Sequence, residues 1–213
     1  MRMDSHLILA LDETDLTKAL HVLDEVADLI DAVKINWPLI MSAGPEIITT
    51  LSKKAEVICD FKIADIPNTD RLIIEQAIKR GASAVIVHAF TGTDSLQACV
   101  EAAQGKDVFV VTEMSHPGGQ EFTAHYAEKF AAMAAECKAS GLIAPATRPE
   151  RIQQIKSVAP NLLILSPGVG TQGGSASAAI ANGADYVIVG RSIYGSSNPR
   201  EVAEGLIKEI KAI

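Results

Sequence analysis

The chain has 213 residues, of which 48% are hydrophobic and 21% are charged, and its formal net charge at pH 7 is −7. A chain of this length can bury one substantial core, and this composition excludes a largely disordered protein. The negative charge argues against nucleic acid or an anionic membrane as the main partner, although a local basic pocket can still bind a phosphorylated small molecule. We therefore expect a globular protein whose partner is a small molecule.

The cysteines and the first apolar run indicate a cytoplasmic protein. Cys59, Cys99 and Cys137 are widely spaced, odd in number and outside any CxxC arrangement, so they predict neither a disulfide framework nor a zinc site. The apolar run at residues 6–11 is too short for a signal-peptide core or a membrane span, and it stops at Asp12. The sequence thus predicts no export and no membrane association.

Short apolar runs alternate with segments of helical periodicity along the whole chain. Continuous apolar runs of this length are typical of strands that are buried on both faces of a parallel sheet. Eight such units favour a (β/α)8 TIM barrel, with an open doubly wound sheet as the alternative. The predicted strands are 7–11, 32–35, 57–63, 84–88, 108–112, 141–144, 162–166 and 186–189, and the clearest predicted helices are 16–30, 69–80, 95–104, 124–139 and 149–158.

Glycine and proline mark the boundaries of these units. Gly81 lies where a helix should end, and Pro149 and Pro199 lie where helices should begin. No linker, low-complexity tract or charge run divides the chain. We therefore predict a single domain over residues 1–213.

Two charged residues close the third predicted strand. Residues two apart on a strand project to the same face, so Asp60 and Lys62 should lie side by side. A buried Asp or Lys is costly unless it is paired, which suggests a chemical use for this pair. A purely structural ion pair would have the same local sequence.

Polar residues also follow the other predicted strands. The C-terminal mouth of a barrel is where barrel enzymes assemble their active sites, so these residues predict a functional cluster. We expect His88 to be packed or to support a site residue from behind, and His116 to be an exposed loop residue, and we assign neither a catalytic role. The residues at the mouth are Asp12, Lys34, Asp60, Lys62, His88, Thr112, Glu113, Ser166, Gly190 and Arg191.

A glycine-rich segment, residues 166–174, follows the seventh strand, and Arg191 follows the eighth. Loops at these two places often bind a phosphate through backbone N–H groups, and an arginine adds a planar cation. A glycine-rich turn beside a surface arginine is the alternative. The segment also has the small residues of a lid, and the loop at 113–119 could close from the other side, where Ser115 can hydrogen-bond a heterocycle.

Six motifs occur in order along the chain: Lys34, DxKxxD at 60–65, IPNT at 66–69, TEMSHPG at 112–118, PGVGxQG at 167–173 and Gly190-Arg191. Taken together, they resemble the orotidine 5′-monophosphate decarboxylase family in its short archaeal form. The resemblance implies decarboxylation of orotidine 5′-monophosphate to uridine 5′-monophosphate in pyrimidine biosynthesis, without a metal or other cofactor.

Two other functions remain open. The DxKxxD element is shared with Mg²⁺-dependent sugar-phosphate decarboxylases and hexulose-phosphate synthases, but Lys34 stands where those relatives have a carboxylate. A non-catalytic barrel that senses a nucleotide or phosphate is the second alternative, although a binding protein has little need for so many charges. No His, Cys or carboxylate cluster in the sequence has the spacing of a metal site.

The resemblance also implies residue roles. Lys62 would donate a proton to C6 of the pyrimidine, within a charge network completed by Lys34, Asp60 and Asp65. Asp65, together with Ile66 and Thr69, would enter the site of the neighbouring subunit of a homodimer.

The remaining implied roles concern the substrate. Asp12 and Lys34 would hold the ribose hydroxyls, and Ser115 would contact the pyrimidine edge. Gln172 and Arg191 would bind the phosphate with backbone groups of Pro167, Gly168, Val169, Gly170, Gly173 and Gly190. The pair at residues 36–37, Asn-Trp, departs from the glycine and tyrosine that relatives often have.

Overall fold

Eight parallel strands form a closed barrel in chain order, and β8 pairs back with β1. The structure is a computed structural model and describes residues 3–213. It confirms the predicted (β/α)8 barrel and excludes the open sheet. The strands are β1 Leu7–Ala10, β2 Ala32–Ile35, β3 Val57–Ile63, β4 Ala84–His88, β5 Asp107–Val111, β6 Gly141–Ile143, β7 Leu163–Pro167 and β8 Tyr186–Val189.

Helices connect successive strands and surround the barrel. Proline starts helices at Pro149 and Pro199, and Gly81 follows the end of another helix with a φ of 100°, all as predicted. The helices are α1 Leu16–Val26, α2 Trp37–Ala43, α3 Ile47–Leu51, α4 Pro67–Lys79, α5 Thr93–Ala102, α6 Thr123–Glu136, α7 Pro149–Val158, α8 Ala176–Ala181, α9 Arg191–Tyr194 and α10 Pro199–Lys211. Among residues 3–213, no helix has both the length and the apolar character needed to cross a membrane.

The first helix is shorter than predicted. The pattern predicts a helix over 16–30, but α1 ends at Val26. The amides of both Leu29 and Ile30 donate to the Val26 carbonyl, so the chain turns there and delivers Asp31 to the start of β2. Ile30 is buried by this turn rather than by a further helical turn.

Apolar side chains fill two separate layers. The larger layer lies between the barrel and the helices, and the smaller one fills the barrel interior. This interior is solid, because Phe109 and Tyr186 are fully buried in it. The interior residues are Ile8, Ala10, Ala32, Ile58, Ala84, Ile86, Phe109, Val111, Ile143, Leu165, Tyr186 and Ile188.

A buried carboxylate holds the chain at the N-terminal end of the barrel. Asp31 is only 1% exposed and accepts backbone N–H groups from Asp4 at 3.1 Å, Ser5 at 3.1 Å and His6 at 2.8 Å. These bonds fix the segment that leads into β1. Hydrogen bonds to a charged acceptor are among the stronger ones in proteins.

The Asp31→Ala variant should be markedly less stable, because three backbone donors lose their acceptor. Loss of three hydrogen bonds to a charged acceptor, with the buried Ser5 N–H left without a partner, should lower the free energy of unfolding by about 2–4 kcal/mol, measured by urea denaturation. Asp28→Ala is the control, because Asp28 pairs with Arg200 at the exposed surface and should contribute much less. Equal losses of unfolding free energy in the two variants would show that Asp31 does not hold the N-terminal segment.

Candidate active site

A cavity of about 260 Å³ opens at the C-terminal mouth of the barrel. The structure brings most of the predicted site residues together around it, although their roles stay predictions. Those that line the cavity are Asp12, Lys34, Asp60, Lys62, Ser115, Pro167, Gly168, Val169, Gln172, Gly190 and Arg191.

Charges of alternating sign form a row at the base of the cavity. Asp60 is 5% exposed and lies between two ammonium groups, Lys34 Nζ at 2.9 Å from Oδ2 and Lys62 Nζ at 2.8 Å from Oδ1. Lys34 Nζ also lies 3.8 Å from Asp12 Oδ1. The row therefore runs Asp12, Lys34, Asp60, Lys62, and each buried charge has a partner of opposite sign.

This pairing decides the ionisation of Asp60. Burial alone would raise the pKa of Asp60, but the ammonium groups of Lys34 and Lys62 outweigh it and hold that pKa below its usual value. Asp60 is therefore ionised at neutral pH. Because its folded pKa is below the unfolded one, its contribution to stability is present above about pH 4 and is lost as the pH falls through the folded pKa.

The backbone that carries Lys62 is irregular. The pairing of β3 with β4 shifts between Cys59 and Ile63, which is the mark of a β-bulge. Lys62 itself has a φ of 46°, a left-handed conformation that costs a non-glycine residue about 1–2 kcal/mol. The side-by-side placement of Asp60 and Lys62 was predicted, but from a regular strand rather than from this bulge.

Trp37 contacts the bulge from outside the barrel. Its indole N–H donates to the carbonyl of Phe61 at 3.2 Å, and its ring stacks on the Phe61 ring with centroids 4.7 Å apart. That carbonyl belongs to the peptide bond that precedes Lys62. The sequence showed only that residues 36–37 are unusual, and it gave no signal for this contact.

Two loops meet on the opposite side of the cavity. The hydroxyl of Ser115, after β5, donates to Gln172 Oε1 in the loop after β7 at 2.9 Å. Gly168 is required at this junction, because its φ is 103° and a Cβ there would lie 3.0 Å from Thr147 Cγ2 and 3.3 Å from Ser115 Cβ. The loops predicted to close from two sides thus touch each other, while their function as a lid stays a prediction.

Buried ion pairs support the β5 loop. Glu113 is fully buried and accepts from Arg148 Nε and Arg151 Nε, both at 2.7 Å. Arg148 also donates to the Met114 carbonyl at 2.6 Å, and Thr147 donates to the Ser115 carbonyl at 3.0 Å. Sequence reasoning placed Glu113 at the mouth but missed its partners, because they come from a distant segment of the chain.

Three predicted mouth residues, His88, Thr112 and Ser166, do not line the cavity, which corrects the sequence interpretation. Thr112 and Ser166 are fully buried, and their hydroxyls donate to the carbonyls of Ile143 at 2.7 Å and Ala144 at 2.8 Å. They tie β5 and β7 to the segment of β6. A hydroxyl near a strand end can turn to a neighbouring carbonyl, and the sequence does not distinguish this from a site residue.

The two histidines lie as expected. The ring of His88 is largely buried and packs on Phe90 with centroids 4.9 Å apart. Burial, with a smaller effect from the Lys62 charge, lowers the pKa of His88 to about 4, so it is neutral at pH 7. His116 is exposed.

Several predicted site residues lie outside the cavity of their own chain. Asp65 and Ile66 are exposed, and the Asp65 carboxylate accepts the N–H of Ile66 at 2.7 Å. Thr69 lies in the first turn of α4, which begins at Pro67, and Gly170 and Gly173 belong to the β7 loop without lining the cavity. Within residues 3–213, no group of three or more His, Cys, Asp or Glu side chains could hold a metal ion.

The sequence model of the orotidine 5′-phosphate decarboxylase / HUMPS family matches residues 5–206. The chain belongs to this family.

Full-length relatives agree with this assignment. An orotidine 5′-phosphate decarboxylase of Methanosarcina mazei is 55% identical over 215 residues, with 100% of this chain and 98% of that protein covered. One of Thermococcus kodakarensis is 51% identical over 210 residues, with 97% of each chain covered.

Solved structures of family members share the barrel. Orotidine 5′-monophosphate decarboxylase of Methanocaldococcus jannaschii, complexed with the inhibitor BMP, has a TM-score of 0.92 and 43% identity, covering 96% of this chain and 97% of that one. The Pyrococcus horikoshii enzyme has a TM-score of 0.90 and 44% identity, covering 97% and 100%. The family relationship therefore extends over nearly the whole fold.

In this family member, replacing Lys34 should change the ionisation of Asp60. Lys34→Met removes one of the two ammonium groups while burial remains, so the pKa of Asp60 should rise. A ¹³C NMR titration of the Asp60 carboxyl carbon measures it. Lys18→Met is the control, because Lys18 pairs with Glu13 at the surface and should leave Asp60 unaffected. An unchanged pKa in Lys34→Met would show that Lys62 alone sets it.

Proposed function

We propose that this chain decarboxylates orotidine 5′-monophosphate to uridine 5′-monophosphate and that Lys62 donates the proton to C6. The observation that carries the proposal is the row of charges formed by Asp12, Lys34, Asp60 and Lys62, called the ion row below, in which the buried Asp60 holds Lys62 Nζ at 2.8 Å inside the cavity. The names of the full-length relatives and the inhibitor complex of the Methanocaldococcus jannaschii enzyme support the reaction and a nucleotide substrate.

The reaction needs only groups that this chain supplies. The bond between C6 and the carboxyl carbon breaks, carbon dioxide leaves, and the electron pair remains on C6. The ammonium of Lys62 stabilises that charge and then transfers a proton from Nζ to C6, and the neutral amine regains a proton from solvent. No electron is gained or lost overall, so the step needs no redox cofactor, and the Lys62 ammonium supplies the positive charge at C6 that a metal ion would otherwise provide. We therefore propose a reaction without a metal or other cofactor.

Asp60 keeps this machinery charged and in place. Two ammonium groups as close as Lys34 and Lys62 would repel each other, and the carboxylate between them removes that cost. Asp60 also fixes the direction of the Lys62 side chain, which is 31% exposed towards the cavity. A preoriented cation needs little reorganisation when charge develops at C6.

The remaining cavity residues fit a nucleotide. We propose that Asp12 and Lys34 hold the ribose hydroxyls and that Ser115 contacts the pyrimidine edge. The phosphate would bind Gln172, Arg191 and the backbone of the loops after β7 and β8, namely Pro167, Gly168, Val169, Gly170, Gly173 and Gly190. The bond between Ser115 and Gln172 joins the base end and the phosphate end of this proposed site.

We further propose a two-fold dimer with shared sites. Asp65, Ile66 and Thr69 would enter the neighbouring site, which accounts for their position outside the cavity of their own chain. Ile66 is 64% exposed, and Trp37 at 46% and Phe90 at 59% are further large apolar side chains available for a partner. Each partner would then complete the other's site, as a two-fold interface allows.

We assign residues 1–213 to one catalytic domain that works in the cytoplasm. The family match from residue 5 to residue 206 supports one domain. Cys59, Cys99 and Cys137 are all free and buried, which fits a reducing compartment.

The function is tested by following the loss of pyrimidine absorbance of orotidine 5′-monophosphate with EDTA-treated protein. Wild-type protein should turn over fully, because the proposed site uses no metal. Lys62→Ala should fold but lose turnover, because it lacks the proton donor.

Two results would contradict this proposal. Recovery of activity only on adding Mg²⁺ would favour the sugar-phosphate alternative. Retention by Lys62→Ala of a tenth or more of wild-type kcat, a loss of about 1.4 kcal/mol or less, would make Lys62 a structural residue. Lys18→Ala, at the surface, controls for a general effect of removing a lysine charge.

Arg191→Ala should impair the phosphorylated substrate far more than the nucleoside orotidine. Arg191 lines the cavity at the first residue of α9, and a substrate without phosphate cannot use its charge. The measurement is kcat/KM for both substrates. Equal fractional losses would remove Arg191 from the phosphate site.

Mixing two inactive variants, Lys62→Ala and Asp65→Ala, should regenerate activity. In a mixed dimer, one site combines an intact Lys62 with an intact Asp65 from the partner, and the other site collects both defects. Random exchange makes half of the dimers mixed, so about a quarter of wild-type activity should return for a two-fold dimer. If co-refolded mixtures with confirmed exchange show only the sum of the parental rates, Asp65 acts within its own chain.

A further inference from the structure

A buried carboxylate lies behind the turn that carries Asp65. Asp70, in the first turns of α4, is 1% exposed, and its Oδ1 accepts the backbone N–H of Asp65 at 2.9 Å. Its Oδ2 accepts the hydroxyl of Ser95, in α5, at 2.5 Å. Ser95 Oγ is also 2.6 Å from the carbonyl oxygen of Asp65. The amide and the carbonyl of Asp65 are therefore both held by this pair of side chains.

In the part of the chain that the structure describes, the Asp70 carboxylate is buried without a cationic partner. A carboxylate that is buried without a cation is costly, and within residues 3–213 no Lys, Arg or His forms an ion pair with Asp70. Helix α4 begins after Ile66, which provides no side-chain cap. A negative charge near the N-terminus of α4 is favourable. Helix capping does not account for the whole arrangement, however, because Asp70 accepts the N–H of Asp65, the residue before Ile66.

We propose that Asp70 and Ser95 are positioning residues that fix the backbone of Asp65 and so aim its carboxylate at the neighbouring site. This inference rests on the proposed shared site. With both backbone groups of Asp65 held, only its side-chain rotation is left to adjust when a partner is present. A displacement of about 1 Å at a charged group in an active site is enough to slow a reaction substantially.

The Asp70→Asn variant is a matched control for Asp70→Ala, because of the hydrogen-bond donors and acceptors around Asp70. The Ser95 hydroxyl has one hydrogen but lies close to two acceptors, Asp70 Oδ2 and the Asp65 carbonyl. In Asp70→Asn, the amide oxygen can accept from Asp65 N–H while the amide nitrogen donates to Ser95 Oγ, which frees the hydroxyl hydrogen for the Asp65 carbonyl. Asp70→Asn thus keeps both contacts to the turn, whereas Asp70→Ala removes the contact to the Asp65 N–H and leaves Ser95 without its carboxylate partner.

The first test compares these variants as purified dimers. Asp70→Ala should lose at least about tenfold in kcat with a smaller change in KM, because Asp65 belongs to the charge network rather than to the phosphate contacts. Asp70→Asn should retain most of the activity. Circular dichroism and size-exclusion chromatography check the fold and the dimer. If Asp70→Ala does not give a folded dimer, Ser95→Ala replaces it.

The second test locates the defect by mixing Asp70→Ala with Lys62→Ala. In the mixed dimer, the Asp70→Ala chain supplies an intact Lys62, and its site receives Asp65 from the Lys62→Ala chain, in which the turn is undisturbed. Activity should then rise towards about a quarter of the wild-type value, as for any two defects in opposite chains of a two-fold dimer.

Three results would overturn the inference. They are wild-type activity of Asp70→Ala, equal losses in Asp70→Asn and Asp70→Ala, and no recovery in the Asp70→Ala mixture when the Asp65→Ala mixture with Lys62→Ala does recover. If neither mixture recovers, the shared site is wrong. The comparison of Asp70→Asn with Asp70→Ala then decides whether Asp70 positions Asp65 within one chain.

Discussion

The pairing of Asp60 with two ammonium groups is the interaction on which the rest of the site depends. Each of these charges is costly to bury alone, and removal of one partner leaves the others uncompensated. The two lysines come from different strands, Lys34 from β2 and Lys62 from β3, and both lie within 2.9 Å of the same carboxylate. The closed barrel meets this requirement, because it brings the C-terminal ends of neighbouring strands together.

The third strand, which carries Asp60 and Lys62, is irregular. The bulge between Cys59 and Ile63 and the left-handed backbone of Lys62 cost free energy that the surrounding structure must offset. Two sets of contacts hold this backbone. They are the ion pair of Lys62 with Asp60 and the contacts of Trp37 with Phe61. The same bulge releases the chain towards Asp65, whose backbone is fixed in turn by Asp70 and Ser95.

The sequence predicts the strands well, because continuous apolar runs are a strong local signal, and β2, β3, β4 and β8 have the predicted bounds. The charged residues at strand ends were found because they interrupt or directly follow these apolar runs. The ion pairs of Glu113 with Arg148 and the contact of Trp37 with Phe61 were not predictable, since they join distant segments through ordinary side chains. The early end of α1 was missed, because its apolar periodicity continues through the turn.

The site combines residues on strands with a loop that has its own internal hydrogen bonds. The lysines and Asp60 of the ion row lie on strands β2 and β3. The loop after β7 is instead held by its own backbone hydrogen bonds, from Gly174 N–H to the Gly168 carbonyl at 3.0 Å and from Gly170 N–H to the Gly174 carbonyl at 2.9 Å. Its side-chain bond to the β5 loop is the one between Gln172 and Ser115. In the proposed reaction, phosphate binding to this compact loop supplies energy far from C6, and the Ser115 contact conveys it to the base.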